Sequence, residues 1–280
     1  MTTTTKPTVR IEQVTPEMAD KYLGTMVHNR QLRQSRVVQW LSIIERGQWE
    51  LTNDAISFDE NGHLLNGQHR LAAIATSGRT LPLVVLRNLP PRVQDVMDSG
   101  LTRKLADALK LREQNDTHVK ASALRWIHRL EYIEAHDGEL VTYANKSADI
   151  PTIAELLTVF DAQAEAMSEV STLARRAKHE LSVPEGGAMA IMIRQRAIDP
   201  DEQEAFWETT LSGAGLEVGD ARLALRNYLL APIRGGHRRR DYQTVAIAIK
   251  AWNHWRDGNS IMILRWAWGG LHSEQFPIPY

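Results

Sequence analysis

Apolar residues recur along the chain in two periods, and the change from one to the other marks out its elements. Val9 and Ile11 alternate with Arg10 and Glu12, the two-residue period of a strand. Thr15-Pro16-Glu17 then predicts a helix start, with Thr15 as the cap and Pro16 at the first helical position. Val37, Val38, Leu41 and Ile44 share one face at helical spacing, which predicts a second helix capped by Ser35 and closed by Gly47. Two strands follow, Ala55–Phe58 and His63–Leu65, across the turn Asp59-Glu60-Asn61-Gly62. A helix from about Gly67 to Ser77 ends at Gly78, and Leu81–Leu86 is an apolar strand.

Beyond this point the pattern turns helical. Pro91–Met97 and Arg103–Leu111 read as short helices joined at Asp98-Ser99-Gly100, and longer helical patterns cover about 117–136, 152–180, 185–197 and 201–212. From Tyr242 onward Val245, Ile249 and Trp252 keep helical spacing until Gly258, and Ile261–Trp266 reads as a final strand. The fold class is therefore α+β, with a strand-and-helix module at 9–110 followed by a mainly helical region at 111–280 whose C-terminal segment is basic and Trp-rich.

Composition narrows the chemistry. The 280 residues exceed the usual single-domain size, and 43% of them are hydrophobic, enough for well-formed cores. Cysteine is absent, which excludes disulfides, thiolate metal sites and cysteine nucleophiles. No apolar run approaches bilayer length, and Met1-Thr2-Thr3-Thr4-Thr5-Lys6 lacks the apolar stretch of a signal peptide, so a soluble cytoplasmic protein without a membrane partner is expected. Charge is partitioned: residues 1–110 carry +3, residues 111–221 carry -10 and residues 222–266 carry +7.

The run Leu64-Leu65-Asn66-Gly67-Gln68-His69-Arg70-Leu71-Ala72-Ala73 places a strand, a glycine turn, polar side chains and an apolar helix in succession. A helix start favours an anion, because its first N–H groups lack internal partners and lie at the positive end of the dipole. Gly67 allows close backbone approach, Arg70 can fork onto phosphate oxygens, and His69 can donate or exchange a proton near neutral pH. Read without that ligand, the same residues are polar positions around a helix cap.

In Gly67, Gln68, His69 and Arg70, with the strand pair before them and Gly78 and an apolar strand after them, the chain resembles the ParB/sulfiredoxin superfamily, specifically proteins with an Asp-Gly-Gln-His-Arg signature. The resemblance spans roughly 9–110, and the whole chain is similar to phage-encoded ParB-like proteins. It implies a small α+β module holding a nucleoside triphosphate with Mg2+. Its relatives include DNA-partition clamps, modification-dependent restriction proteins and small-molecule kinases. Asn66, Gly67, Gln68, His69, Arg70 and Arg103 would hold phosphate, and His69 and Asp98 would serve catalysis. Two departures stand out. Gln68 occupies the place of the sulfiredoxin cysteine, which excludes sulfinic acid repair. Asn66 stands where relatives commonly have Asp, and an amide is neither an anionic magnesium ligand nor a general base, so hydrolysis is in doubt where binding is not.

Asp98-Ser99-Gly100-Leu101-Thr102-Arg103 is a second polar turn, suited to Mg2+, ribose or phosphate, or merely to capping the next helix. His28-Asn29-Arg30, Arg33 and Arg36 form a basic stretch ahead of the second helix. Arg234, His237, Arg238, Arg239 and Arg240 precede a helix start at Asp241, where cations oppose the dipole, which suggests an external anion such as DNA phosphate. Trp252, Trp255, Trp266 and Trp268 can stack on bases, but their spacing favours core. No metal-ligand cluster, Walker P-loop or Ser-His-Asp order emerges from the spacing. The leading reading is a nucleotide-binding protein, with NTP hydrolysis left open, acting on or beside DNA, and with homo-oligomers allowed. Its alternatives are a non-catalytic DNA-binding or regulatory module, a small-molecule phosphotransferase and a nuclease.

Overall fold

The computed structural model describes residues 6–27, 31–96, 104–140, 150–232, 239–268 and 273–280. Those residues fall into two compact units. The first carries the sheet and the second is helical.

In the first unit β1 (Thr8–Val14) leads into α1 (Pro16–Leu23). The expected cap is present: the Thr15 hydroxyl accepts from the Met18 N–H at 3.2 Å, with Pro16 in the first turn. The next helix, α2 (Gln34–Glu45), begins one residue before Ser35, with Arg33 at the cap and no side chain bonding there. Its last turn is closed from a distance, since Arg79 Nη1 donates to the Ile44 carbonyl at 3.0 Å. Then come β2 (Ile56–Asp59), β3 (Leu64–Asn66), α3 (Gln68–Ser77) and β4 (Leu81–Leu89), followed by a 3-10 turn at Pro91–Val96.

The sheet order is β1-β4-β2-β3. β1 pairs antiparallel with β4, β4 parallel with β2, and β2 antiparallel with β3. The hairpin turn is stitched by Asp59, whose Oδ1 accepts from the Asn61 and His63 N–H groups at 2.8 Å while Oδ2 meets the His63 ring at 3.0 Å. Burial pushes the Asp59 carboxyl up, but the bonds from the His63 main chain and ring and from Asn61 outweigh it and hold the group below the usual aspartate range.

The core of this unit is one cluster in which Val14, Ile56, Phe58, Leu64, Leu83 and Val85 of the strands meet Ala19, Val37, Ile44, Leu71 and Ile74 of the helices. Arg87 closes its edge, lying 4.6 Å from the Phe58 ring centre and bonding Glu12 at 2.9 Å and the Tyr22 hydroxyl at 2.8 Å. Val9 and Ile11 sit on the opposite side of β1, 62% and 63% exposed.

The second unit contains α4 (Leu105–Leu111), α5 (Thr117–Ala135), α6 (Ile153–Leu181), α7 (Glu185–Ile198), α8 (Pro200–Ser212), α9 (Ala221–Leu230) and α10 (Asp241–Arg256). α4 belongs here, with Leu105 and Leu109 in the helical core. α7 is the central element, and from Gly186 to Ile193 every residue is buried. The glycine pair makes room for this: a Cβ at 186 would strike Ser122 of α5, and one at 187 would lie 2.8 Å from Val245 of α10. Trp207 and Trp252 are fully buried beside Phe206, and Trp207 donates to Gln195 Oε1 at 2.7 Å.

Two expectations change in this unit. Ala221, Ala224, Leu225 and Leu229 form the buried face of α9, a helix that the pattern reading passed over. Ile261–Trp266 is not a strand. It is an irregular segment whose Leu264 and Trp266 are buried, and its bonds go to loops and side chains: the Ile261 N–H donates to the Gly219 carbonyl, and Lys250 Nζ to the Arg265 carbonyl at 2.7 Å. Leu264 and Trp266 of this apolar run dock on the helical core, while Met262 and Ile263 stay 68% and 64% exposed. No helix among the described residues is long and apolar enough to cross a membrane.

Candidate functional site

The turn singled out in the sequence lies where β3 hands over to α3. Asn66 ends β3, half-buried and paired opposite Ser57 of β2. Gly67 then adopts φ 105°, a left-handed conformation that disfavours any side chain. Space excludes one as well, because Ile56 Cδ1 occupies the volume a Cβ at 67 would take. The glycine therefore presses the start of α3 onto β2.

No side chain caps α3, and its first turn holds no acidic residue. The Gly67 carbonyl accepts from the N–H groups of Arg70 and Leu71, at 3.1 and 3.0 Å. A helix start without acid is electrostatically suited to an anion. His69 is half-buried beside it, and its Nε2 accepts from the Arg33 N–H at 3.1 Å, joining the segment ahead of α2 to the turn. With Nε2 as acceptor the neutral ring carries its proton on Nδ1.

Arg70 is placed differently from the expectation that it forks onto phosphate. It is 8% exposed, and it donates from Nη1 to the Asp54 carbonyl and from Nη2 to the Ala55 carbonyl, the latter at 3.1 Å. These carbonyls lead directly into β2, so Arg70 ties the approach to the sheet onto the helix start. Gln68 is likewise buried, at 5% exposure. The turn thus brings Asn66, Gly67, Gln68, His69 and Arg70 together, with Asn66 and His69 half-buried and Gln68 and Arg70 buried. Arg33, read in the sequence only as part of a basic stretch, contributes through its main chain.

Asp98 and Arg103 lie outside the described residues, as do His28, Asn29 and Arg30. Among the described residues no group of His, Asp and Glu is arranged to hold a metal ion.

Of the basic segment, Arg234, His237 and Arg238 lie outside the described residues. Arg239 reaches back to the end of α9, donating to the Leu229 carbonyl at 3.0 Å and the Ala231 carbonyl at 2.7 Å, with its guanidinium 4.8 Å from the Tyr228 ring centre. Arg240 donates to the Tyr242 hydroxyl at 2.7 Å. The unfavourable dipole expected here is relieved for Arg239, while Arg240 stands at the start of α10 as expected. Arg239 faces the negative end of α9, where a cation is favoured, and Asp241 supplies a favourable charge in the first turn of α10. Arg239 requires no external anion to explain its position. Arg239 and Asp241 also border a cavity of about 510 Å³ near the start of α7, whose wall includes Lys178 and Glu185, themselves paired at 2.9 Å.

Compared with protein-family models, with curated proteins and with solved structures, the chain finds no match in any of the three.

Proposed function

We propose that the first unit is a nucleotide-binding module that receives phosphate at the start of α3, in a protein that works on or beside DNA as the ParB/sulfiredoxin resemblance implies. The observation that carries the phosphate site is the helix start itself. Gly67 places no side chain at the turn, no side chain caps the helix, no acid sits in its first turn, and His69 stands beside it with a defined tautomer. In this reading main-chain N–H groups and the His69 ring meet the phosphate, while Arg70 holds the turn in shape. Mg2+ would enter with the nucleotide's own phosphates. Asn66 favours binding over turnover, because the site then lacks the carboxylate that relatives place at that position.

Calorimetry of the full chain against ATP, CTP, GTP and the deoxynucleotides with Mg2+, together with product analysis, tests the reading. Binding of at least one nucleotide is expected. His69→Ala should weaken it roughly tenfold, the effect of losing a charge-assisted bond of about 1.5 kcal/mol. No binding, or unchanged affinity in the folded His69→Ala protein, would refute the assignment to α3. Arg70→Ala is the poorer probe, since it removes buried bonds that the turn needs.

A further inference from the structure

We propose that two copies of this chain associate through β1, antiparallel, with Ile11 of one copy opposite Ile11 of the other. Among the described residues β1 is an edge strand, since the order β1-β4-β2-β3 leaves one of its sides without a neighbour in the sheet. Edge strands are commonly protected by bulges, prolines or charged side chains, lysine above all. β1 has no bulge, lysine or proline between Thr8 and Val14, its charges being Arg10 and Glu12, and its pairing with β4 runs without a shift from Thr8↔Arg87 to Val14↔Leu81. Val9 and Ile11 are 62% and 63% exposed, and their cross-strand neighbours are Leu86 and Val84.

Charge selects the occupant and the register. Arg10 is exposed and forms no ion pair among the described residues, whereas Glu12 on the same face already holds Arg87. A twofold axis perpendicular to the sheet must pass through one residue if facing side chains are to share a side. Centring it on Arg10 sets guanidinium against guanidinium, and centring it on Glu12 sets carboxylate against carboxylate. Centring it on Val9 or on Gln13 runs off the strand beyond one flanking pair. Centred on Ile11, both Arg10 side chains face a Glu12 and both Val9 side chains face a Gln13. Opposite charges directly across an antiparallel pair are favourable and like charges are not. The strand therefore complements its own copy in a single register, and the two Ile11 side chains extend the apolar row already begun by Val84 and Leu86.

Sedimentation equilibrium of the full chain across the micromolar range should show a monomer–dimer equilibrium. Arg10→Glu, which sets like charges opposite one another, should raise its dissociation constant by at least about tenfold. Because the chain has no cysteine, Ile11→Cys supplies a single thiol per copy. Facing Cα atoms in an antiparallel pair lie about 4.5–5.5 Å apart, within the span of a disulfide, so mild oxidation should link the Ile11→Cys dimer covalently. Val9→Cys alone should stay unlinked but should join to a Gln13→Cys chain. These positions are exposed, and circular dichroism of each variant serves as the check on folding. A monomer at every concentration, a dimer indifferent to Arg10→Glu, or a folded Ile11→Cys dimer that resists linkage would each overturn the proposal.

Discussion

Replacing Gly67 with alanine tests whether the turn before α3 is set by conformation and close packing together. The φ of 105° disfavours a side chain, a penalty of about 1–3 kcal/mol for a non-glycine residue held in such a region. Overlap of the new Cβ with Ile56 Cδ1 adds about 1–3 kcal/mol if the neighbours shift as they do in other overpacked sites. Gly67→Ala should therefore destabilise the first unit by about 2–6 kcal/mol. Gly78→Ala is the internal control: its φ is 68° and nothing lies within 4 Å of the added atom, so about 1 kcal/mol is expected. Ile56→Val removes Cδ1 itself at a cost of about 0.5–1.5 kcal/mol. In the double variant the overlap is relieved, so the two effects should fall short of their sum by at least about 0.5 kcal/mol. Hydrogen exchange at the amides of β2 and α3 under increasing urea resolves the opening of this unit from that of the helices. Equal effects of Gly67→Ala and Gly78→Ala, or additivity with Ile56→Val, would refute the packing half of the argument.

Two further outcomes follow from the bonds described. The folded-state pKa of Asp59 is lowered, so its stabilising contribution is complete above the ordinary aspartate range and disappears as pH falls through the lowered value. Asp59→Asn should be less stable than the parent by about 1–3 kcal/mol at neutral pH and converge with it in acid, as read by denaturation over a pH series, and a gap independent of pH would contradict this. Arg239→Ala should lower hydrogen-exchange protection at the end of α9 by about 1–3 kcal/mol, because two carbonyls lose a charged donor and Tyr228 loses its stacking partner. Unchanged protection there would mean that the arginine is not a cap.

What the sequence discloses depends on how far each determinant reaches along the chain. The α1 start is legible because Thr15, Pro16 and Met18 are neighbours, and Gly67 and Gly78 mark the ends of α3 because each answers a local backbone need. The burial of Arg70 is not legible. Its acceptors stand at Asp54 and Ala55, and an arginine beside a glycine turn reads as a ligand until the fold shows those carbonyls above it. The same holds for Arg239, whose position before α10 suggests repulsion while its guanidinium serves the preceding helix. α9 was within reach, since Asp220 caps it and Ala221, Ala224, Leu225 and Leu229 keep helical spacing. Ile261–Trp266 misleads because a short apolar run serves a strand and an irregular segment docked on a core equally well.

The glycine pair that opens α7 has a consequence for how the helical unit is assembled. A helix buried along its length from Gly186 to Ile193 offers no water-facing stripe, so it gains little by forming before its surroundings exist. In synthesis from the N-terminus, α5 and α6 precede it and cover part of its surface, whereas the contact between Gly187 and Val245 waits for α10. Until then α7 carries an uncovered apolar flank. Completion of α10 is thus the event that seals the unit, and a chain stopped before Asp241 would present that flank to chaperones or to other unfinished chains.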